Sequence, residues 1–241
     1  MKNKRTALYA ALAILAFESA GAAAGSLSGN AAVTNNYLWR GLTQTENSAA
    51  VSGGLDYAAE NGFYAGTWVS NVHFAPSDPF SYENDLYFGY SGGERLKYDV
   101  GYIYYNYDAA ASADFGEVYG KFGIKGLTAS LYALTQTQLT APPGRDYGLG
   151  ESLYLALDYS LSLENEVSVG LHAGRYSGDF QEDFNGVPRS YLDYNVSVAK
   201  GGFTFMISDT NLPANAPNGF DNGSLKFVIA YKVGIALRPK K

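Results

Sequence analysis

After its first two dozen residues the chain alternates apolar and polar positions over short runs. Leu153, Leu155, Leu157, Tyr159 and Leu161 share one face, and Ser152, Tyr154, Ala156, Asp158 and Ser160 the other. Leu192, Tyr194, Val196 and Val198 alternate with Asp193, Asn195, Ser197 and Ala199, and Leu225 to Ile235 repeats the pattern. A period of two marks a strand between two different environments. The pattern predicts strands over 27–40, 48–59, 63–72, 82–91, 96–107, 115–125, 127–136, 151–161, 166–176, 190–200, 203–209 and 224–236. In strand 127–136, Tyr132 and Leu134 fall on the expected polar face. Tight turns such as Glu60-Asn61-Gly62, Lys125-Gly126 and Lys200-Gly201-Gly202 separate pairs of strands. Between them fall longer polar stretches, such as 73–81, 136–150, 176–189 and 208–223. A soluble sandwich, the alternative for short, evenly spaced strands, has no reason to put every long loop on one side. A barrel in an outer membrane does. The expected fold is all-β: a transmembrane, antiparallel, up-and-down β-barrel of about twelve strands with short periplasmic turns and long extracellular loops.

The N-terminus supports that address. Lys2, Lys4 and Arg5 precede an apolar run from Ala7 to Phe17, and Ala20 to Ala24 offers small residues for cleavage near Ala22 or Ala24. Residues 1–24 read as a secretory signal peptide and 25–241 as one barrel domain. No later run approaches the roughly 20 apolar residues of a membrane helix, so a membrane location requires a closed barrel, which satisfies every backbone group in lipid. The 21 tyrosines, 13 phenylalanines and 28 glycines suit interfacial girdles, turns and a crowded lumen. Removing the leader takes 17 basic and 23 acidic side chains to 14 and 22, a formal charge of −8. That balance argues against nucleic acid. Without cysteine, disulfides, thiolate nucleophiles and cysteine metal sites are excluded.

Longer motifs are more specific than composition. They are Tyr37-Leu38-Trp39-Arg40-Gly41-Leu42-Thr43-Gln44-Thr45, Gly53-Gly54-Leu55-Asp56-Tyr57, the run Gly62 to Val72, Glu83-Asn84-Asp85-Leu86-Tyr87-Phe88-Gly89-Tyr90 and the run Tyr98 to Tyr105. In this order and spacing they resemble the proteobacterial TorF family of porin-like proteins, also called Gcw_chp, most closely over residues 28–108. The family's Gly-Cys-Trp step is Gly66-Thr67-Trp68 here, and the chain ends on Arg238-Pro239-Lys240-Lys241 rather than on the aromatic residue that barrel-assembly machinery reads. The resemblance implies a porin-like protein of the cell outer membrane and names no substrate.

With the apolar faces toward lipid, the other faces line the interior. The expected pore-lining residues are Arg40, Asp56, Trp68, Glu83, Asp85, Asp99, Glu117, Lys121, Lys125, Asp158, Asp193, Lys226 and Lys232, with Arg175 at the rim. Arg40, on the first strand, joins Lys226 and Lys232 on the last to form a basic wall opposite an acidic one. Such walls select solutes; equally, the same residues pair and plug a narrow lumen. Arg40 offers a donor fork for a carboxylate or phosphate and Trp68 a stacking face. The structural alternatives are an Arg40–Asp56 salt bridge and a girdle or plug role for Trp68.

No catalytic or metal site emerges. Ser168 and His172 share a face but lie about 13 Å apart at roughly 3.3 Å per residue, too far for a nucleophile and its base. Asp158 or Asp193 can orient His172, but no serine is placed within reach. The acidic run Gly178 to Gly186 lacks the ordered ligand spacing of a calcium loop and reads as solvated. The expected function is passive diffusion of small solutes or ions without cofactor or catalysis. The alternatives are a non-conducting structural or adhesive barrel and an outer-membrane lipid hydrolase. The expected partners are outer-membrane lipid, small solutes and the barrel-assembly machinery.

Overall fold

A computed structural model of the chain describes residues 25–74, 77, 79–214 and 221–238. The expected signal peptide, and the last three residues of the unusual C-terminus, lie outside the described residues. Twelve strands close into an antiparallel barrel: β1 (Ser26–Thr34), β4 (Ala50–Ala58), β5 (Phe63–Asn71), β6 (Tyr82–Gly92), β7 (Lys97–Tyr107), β8 (Phe115–Ile124), β9 (Leu127–Thr137), β10 (Leu153–Ser162), β11 (Ser168–Ser177), β12 (Ser190–Lys200), β13 (Phe203–Thr210) and β14 (Lys226–Arg238). Neighbours in sequence pair throughout, and β1 pairs with both β4 and β14 to complete the wall.

The alternation fixes the faces. Leu155, Leu157, Phe205, Phe227 and Ile229 are exposed on the outer surface, while their neighbours Tyr154, Ala156, Thr204, Met206 and Val228 are buried inside. An apolar outer band on a closed barrel is the surface lipid requires, so the molecule is an outer-membrane barrel. Tyr132 and Leu134 are buried lumen residues of β9. Their apolar character comes from packing inside the barrel, which resolves the ambiguity of that strand.

The principal correction concerns the first predicted strand. β1 stops at Thr34, and the chain then folds back into the lumen as a small hairpin, β2 (Leu38–Trp39) with β3 (Leu42–Thr43). Its turn residues Arg40 and Gly41 have φ of 50° and 79°. Positive φ at both central positions is what a type I′ hairpin turn requires. Lys125-Gly126 (49° and 84°) and Gly201-Gly202 (58° and 87°) make the same turn at the opposite end of the barrel. Gly41 is also needed for space: a Cβ there would lie 2.6 Å from Asp193 Cβ and 2.8 Å from Thr210 Cγ2. The hairpin therefore touches the β12–β13 wall at its tip, while Leu38 packs with Met206 and Val228 of β13 and β14.

Candidate functional site: the barrel lumen

The lumen is asymmetric. Tyr119, Tyr132, Tyr154, Tyr176 and Tyr191 occupy directly paired positions on β8, β9, β10, β11 and β12. Successive rings are 5.3, 6.2, 5.7 and 6.3 Å apart. The row continues through Gly101 and Gly89 to Tyr64 on β5. Those glycines leave room for the rings: a Cβ would meet Tyr119 Cζ at Gly101 and Tyr64 Cζ at Gly89, each at 2.6 Å. Across that gap the hydroxyls of Tyr64 and Tyr119 bond to each other. Tyr64 lies next to a short turn and Tyr191 next to a long loop, so the row climbs from the periplasmic to the extracellular end, as tilted strands dictate. Opposite it, β13, β14, β1 and β4 present small inward groups such as Thr204, Ala230, Ala32 and Ser52.

Arg40 lies on this row. Its Nη1 and Nη2 donate to Glu117 Oε1 and Oε2 at 2.9 and 2.6 Å. Its guanidinium carbon is 4.3 to 5.1 Å from the ring centres of Trp39, Tyr132, Tyr154 and Tyr176. Arg40 is 5% exposed and Glu117 fully buried, and Tyr191 donates its hydroxyl to the Arg40 carbonyl at 3.0 Å. The expected place of Arg40 on the barrel wall is thus corrected, as is the Arg40–Asp56 pair: the arginine crosses the lumen to β8 because the hairpin turns it inward. Its departure leaves Lys226 and Lys232 alone on their wall.

The other acids occupy several environments. Glu83 accepts from Tyr37 and Tyr107 at 2.8 and 2.9 Å. Asp85, two residues along β6, is also buried, and its Oδ1 has no hydrogen-bond partner. Trp68 faces inward, pairs in register with Asp85 and meets the Tyr37 ring edge-on at 5.4 Å. Tyr87 donates to Asp56 at 2.5 Å. Asp99 accepts from Tyr64 at 2.5 Å and sits opposite Lys121 on β8. His172 is held between Asp158 (Nδ1, 2.7 Å) and Asp193 (Nε2, 2.8 Å), with the Tyr154 hydroxyl 3.0 Å from Nε2. The sequence places Asp158 and Asp193 on the strands either side of His172, and the two acids clip the ring between them.

Of the basic residues, Lys226 donates to the Asp221 and Ser224 carbonyls at 2.7 and 3.0 Å and so anchors the last loop. Lys232 faces inward opposite Ala32. Lys125 does not line the lumen: it occupies the β8–β9 turn and is exposed. That corrects its expected position, because the turn ends the alternation one residue earlier.

Two long loops close over the hairpin. The run expected to be a solvated acidic loop forms α1 (Asp179–Asn185) between β11 and β12. Phe180 and Phe184 turn down onto Phe115, at 5.0 and 5.1 Å, and Phe184 reaches Trp39 at 6.4 Å. The α1 acids are engaged by arginines. Arg145 pairs with Asp179 at 3.2 Å, with Asp183 at 3.5 Å and with Glu182, and Arg189 pairs with Asp179 at 2.6 Å. The Asp146 N–H donated to Asp179 (3.0 Å), together with the two arginines, holds that carboxyl below the usual aspartate range. Among the described residues no group of three or more histidine, aspartate or glutamate side chains is arranged to hold a metal.

A family model described as "Bacterial protein of unknown function (Gcw_chp)" matches residues 18–233. No curated protein matches the sequence. Among solved structures, the NanC porin is 11% identical, with a TM-score of 0.51 over 89% of this chain and 100% of that one. The KdgM porin in complex with disordered oligogalacturonate is 8% identical, with a TM-score of 0.50 over 88% and 99%. The outer membrane phospholipase A from Escherichia coli is 11% identical and aligns at a TM-score of 0.42 over 86% and 92%. At these identities the likeness to the two porins is one of fold.

Proposed function

We propose, from the premise that the chain belongs to the Gcw_chp family, that this barrel is a narrow outer-membrane channel for small solutes and favours cations. The observation that carries the reading is the lumen's charge. Asp56, Glu83, Asp85, Asp99, Glu117, Asp158 and Asp193 face inward on the wall against Lys121, His172, Lys226 and Lys232, with Arg40 reaching in from the hairpin. Rows of one charge sign set the selectivity of a pore. An excess of carboxylates disfavours acidic sugars of the kind bound by the KdgM porin, despite the shared fold. The charge rows belong to the wall, whereas the hairpin and α1 obstruct the extracellular half, so conduction requires the hairpin to shift. The reading contains no catalytic step, since the hydrogen bonds of His172 go to Asp158, Asp193 and Tyr154 rather than to a serine. Insertion by the barrel-assembly machinery is part of this reading.

The hairpin favours one second reading, a permanently plugged structural barrel. Single-channel recording in a planar bilayer under a salt gradient separates the two. Discrete steps with a cation-favouring reversal potential are expected, with larger steps after deletion of residues 38–43. A folded barrel that stays silent in both forms overturns the channel, and anion preference overturns its selectivity.

A further inference from the structure

The guanidinium of Arg40 is held as a ligand is held. A buried carboxylate takes it two-pronged, which is the geometry that distinguishes guanidinium from ammonium and from neutral groups. Tyr132, Tyr154 and Tyr176 approach it from the barrel wall with their ring faces, and such faces attract a desolvated cation. All four of these groups belong to the barrel, but the cation belongs to a two-residue turn on a short hairpin. Arg40 also adopts a left-handed backbone conformation, which costs a non-glycine residue energy. The wall therefore forms a complete cation cage, and a segment of the chain with its own strain fills it.

We propose that Glu117 with Tyr132, Tyr154 and Tyr176 forms a recognition site for solutes bearing a guanidinium group, and that Arg40 occupies it as an internal pseudo-ligand which the solute displaces. This rests on the channel reading and names its solute class. Displacement of Arg40 frees the hairpin tip, so the solute that binds also opens the lumen above the site. The tyrosine row continues below the cage through Tyr119 to Tyr64, with the Lys121 ammonium 5.1 Å from the Tyr119 ring and 5.7 Å from the Tyr132 ring.

The test is equilibrium binding of agmatine to the full-length folded barrel in detergent micelles, read by calorimetry and by tryptophan fluorescence in a Trp68→Phe background that leaves Trp39 as the reporter, with urea as the neutral isostere of the guanidinium group. Arg40→Gly suits the positive φ and empties the cage. It is expected to bind agmatine at least tenfold more tightly than the wild type and not to bind urea. Adding Glu117→Gln is expected to abolish that binding. Arg40→Lys keeps a counter-charge for Glu117 and so covers the case in which the glycine variant fails to fold; it too is expected to bind agmatine more tightly than the wild type. Folded variants that bind agmatine no better than the wild type, or that keep binding after Glu117→Gln, overturn the proposal. Because binding in micelles needs no conduction, a silent bilayer counts against the channel alone, and absent binding counts against the pseudo-ligand alone.

Discussion

At the scale of single residues, burial of charge separates Glu117 from Asp85. Both are buried in the lumen, but Glu117 has the fork of Arg40 whereas Asp85 Oδ1 accepts no hydrogen bond. Removing one partner of a buried ion pair strands the other and costs about 3–5 kcal/mol. Arg40→Ala is therefore expected to lower the unfolding free energy of the refolded barrel, read from urea titration, by an amount of that order, and Glu117→Gln in the same background to recover most of it. Asp85→Asn removes a buried charge without breaking a pair, so its midpoint is expected to stay level or rise. A large loss from Asp85→Asn would mean the carboxylate has a stabilising partner. The inward direction of these acids was legible in the sequence, because a period of two assigns a face to every residue of a strand. Their partners were not: the Arg40–Glu117 contact spans 77 residues and depends on a hairpin that local alternation does not announce.

At the scale of elements, legibility follows turn chemistry. Strands from β4 onward lie within two residues of their expected bounds, because each is framed by a tight turn or a polar loop and carries one apolar face. The exception is 27–40, where Ala31, Val33, Tyr37 and Trp39 continue the alternation past Thr34 although the strand ends there. Yet Arg40-Gly41 is the same kind of turn pair as Lys125-Gly126, with positive φ at both positions. The alternation persists because the hairpin is itself β-structure with one side on the Met206–Val228 wall and the other on the tyrosines. The lipid-facing register supports a second prediction. Leu155 and Phe227 are more than half exposed on the outer face, and arginine on that face costs about 2–4 kcal/mol at the bilayer midplane. Leu155→Arg or Phe227→Arg is expected to reduce the fraction of heat-modifiable, folded barrel on electrophoresis. Ser160→Arg, on the inward face of the same strand as Leu155, is expected to leave it unchanged. Equal yields from all three would place the outer face wrongly.

At the scale of the whole molecule, the extracellular closure has a sign with respect to pH. The loop after β9 and the α1 loop are joined by Arg145, Arg189 and the Asp179 carboxylate, which also accepts the Asp146 N–H. Those contacts hold the Asp179 carboxyl below its ordinary range, so the bound form is the charged one. Its contribution is complete above the ordinary aspartate value near 3.9 and disappears as pH falls through the lower value of the folded state. Asp179 sits one residue before Phe180, whose ring rests on Phe115, so protonation loosens the aromatic cover over the hairpin and leaves the barrel wall intact. Acidification below about pH 4 is therefore expected to speed protease cleavage and amide exchange within 138–152 and 178–189, while amides of β10 and β11 stay protected. Asp179→Asn is expected to show the loosened pattern already at neutral pH and little further change in acid. High salt should mimic part of the effect, because Arg189 is largely exposed and exposed ion pairs are screened. Loosening on raising the pH from 5 to 8, or uniform loosening of loops and strands together in acid, would remove Asp179 from this role. The extracellular cover would then rest on the packing of Phe180 and Phe184 alone.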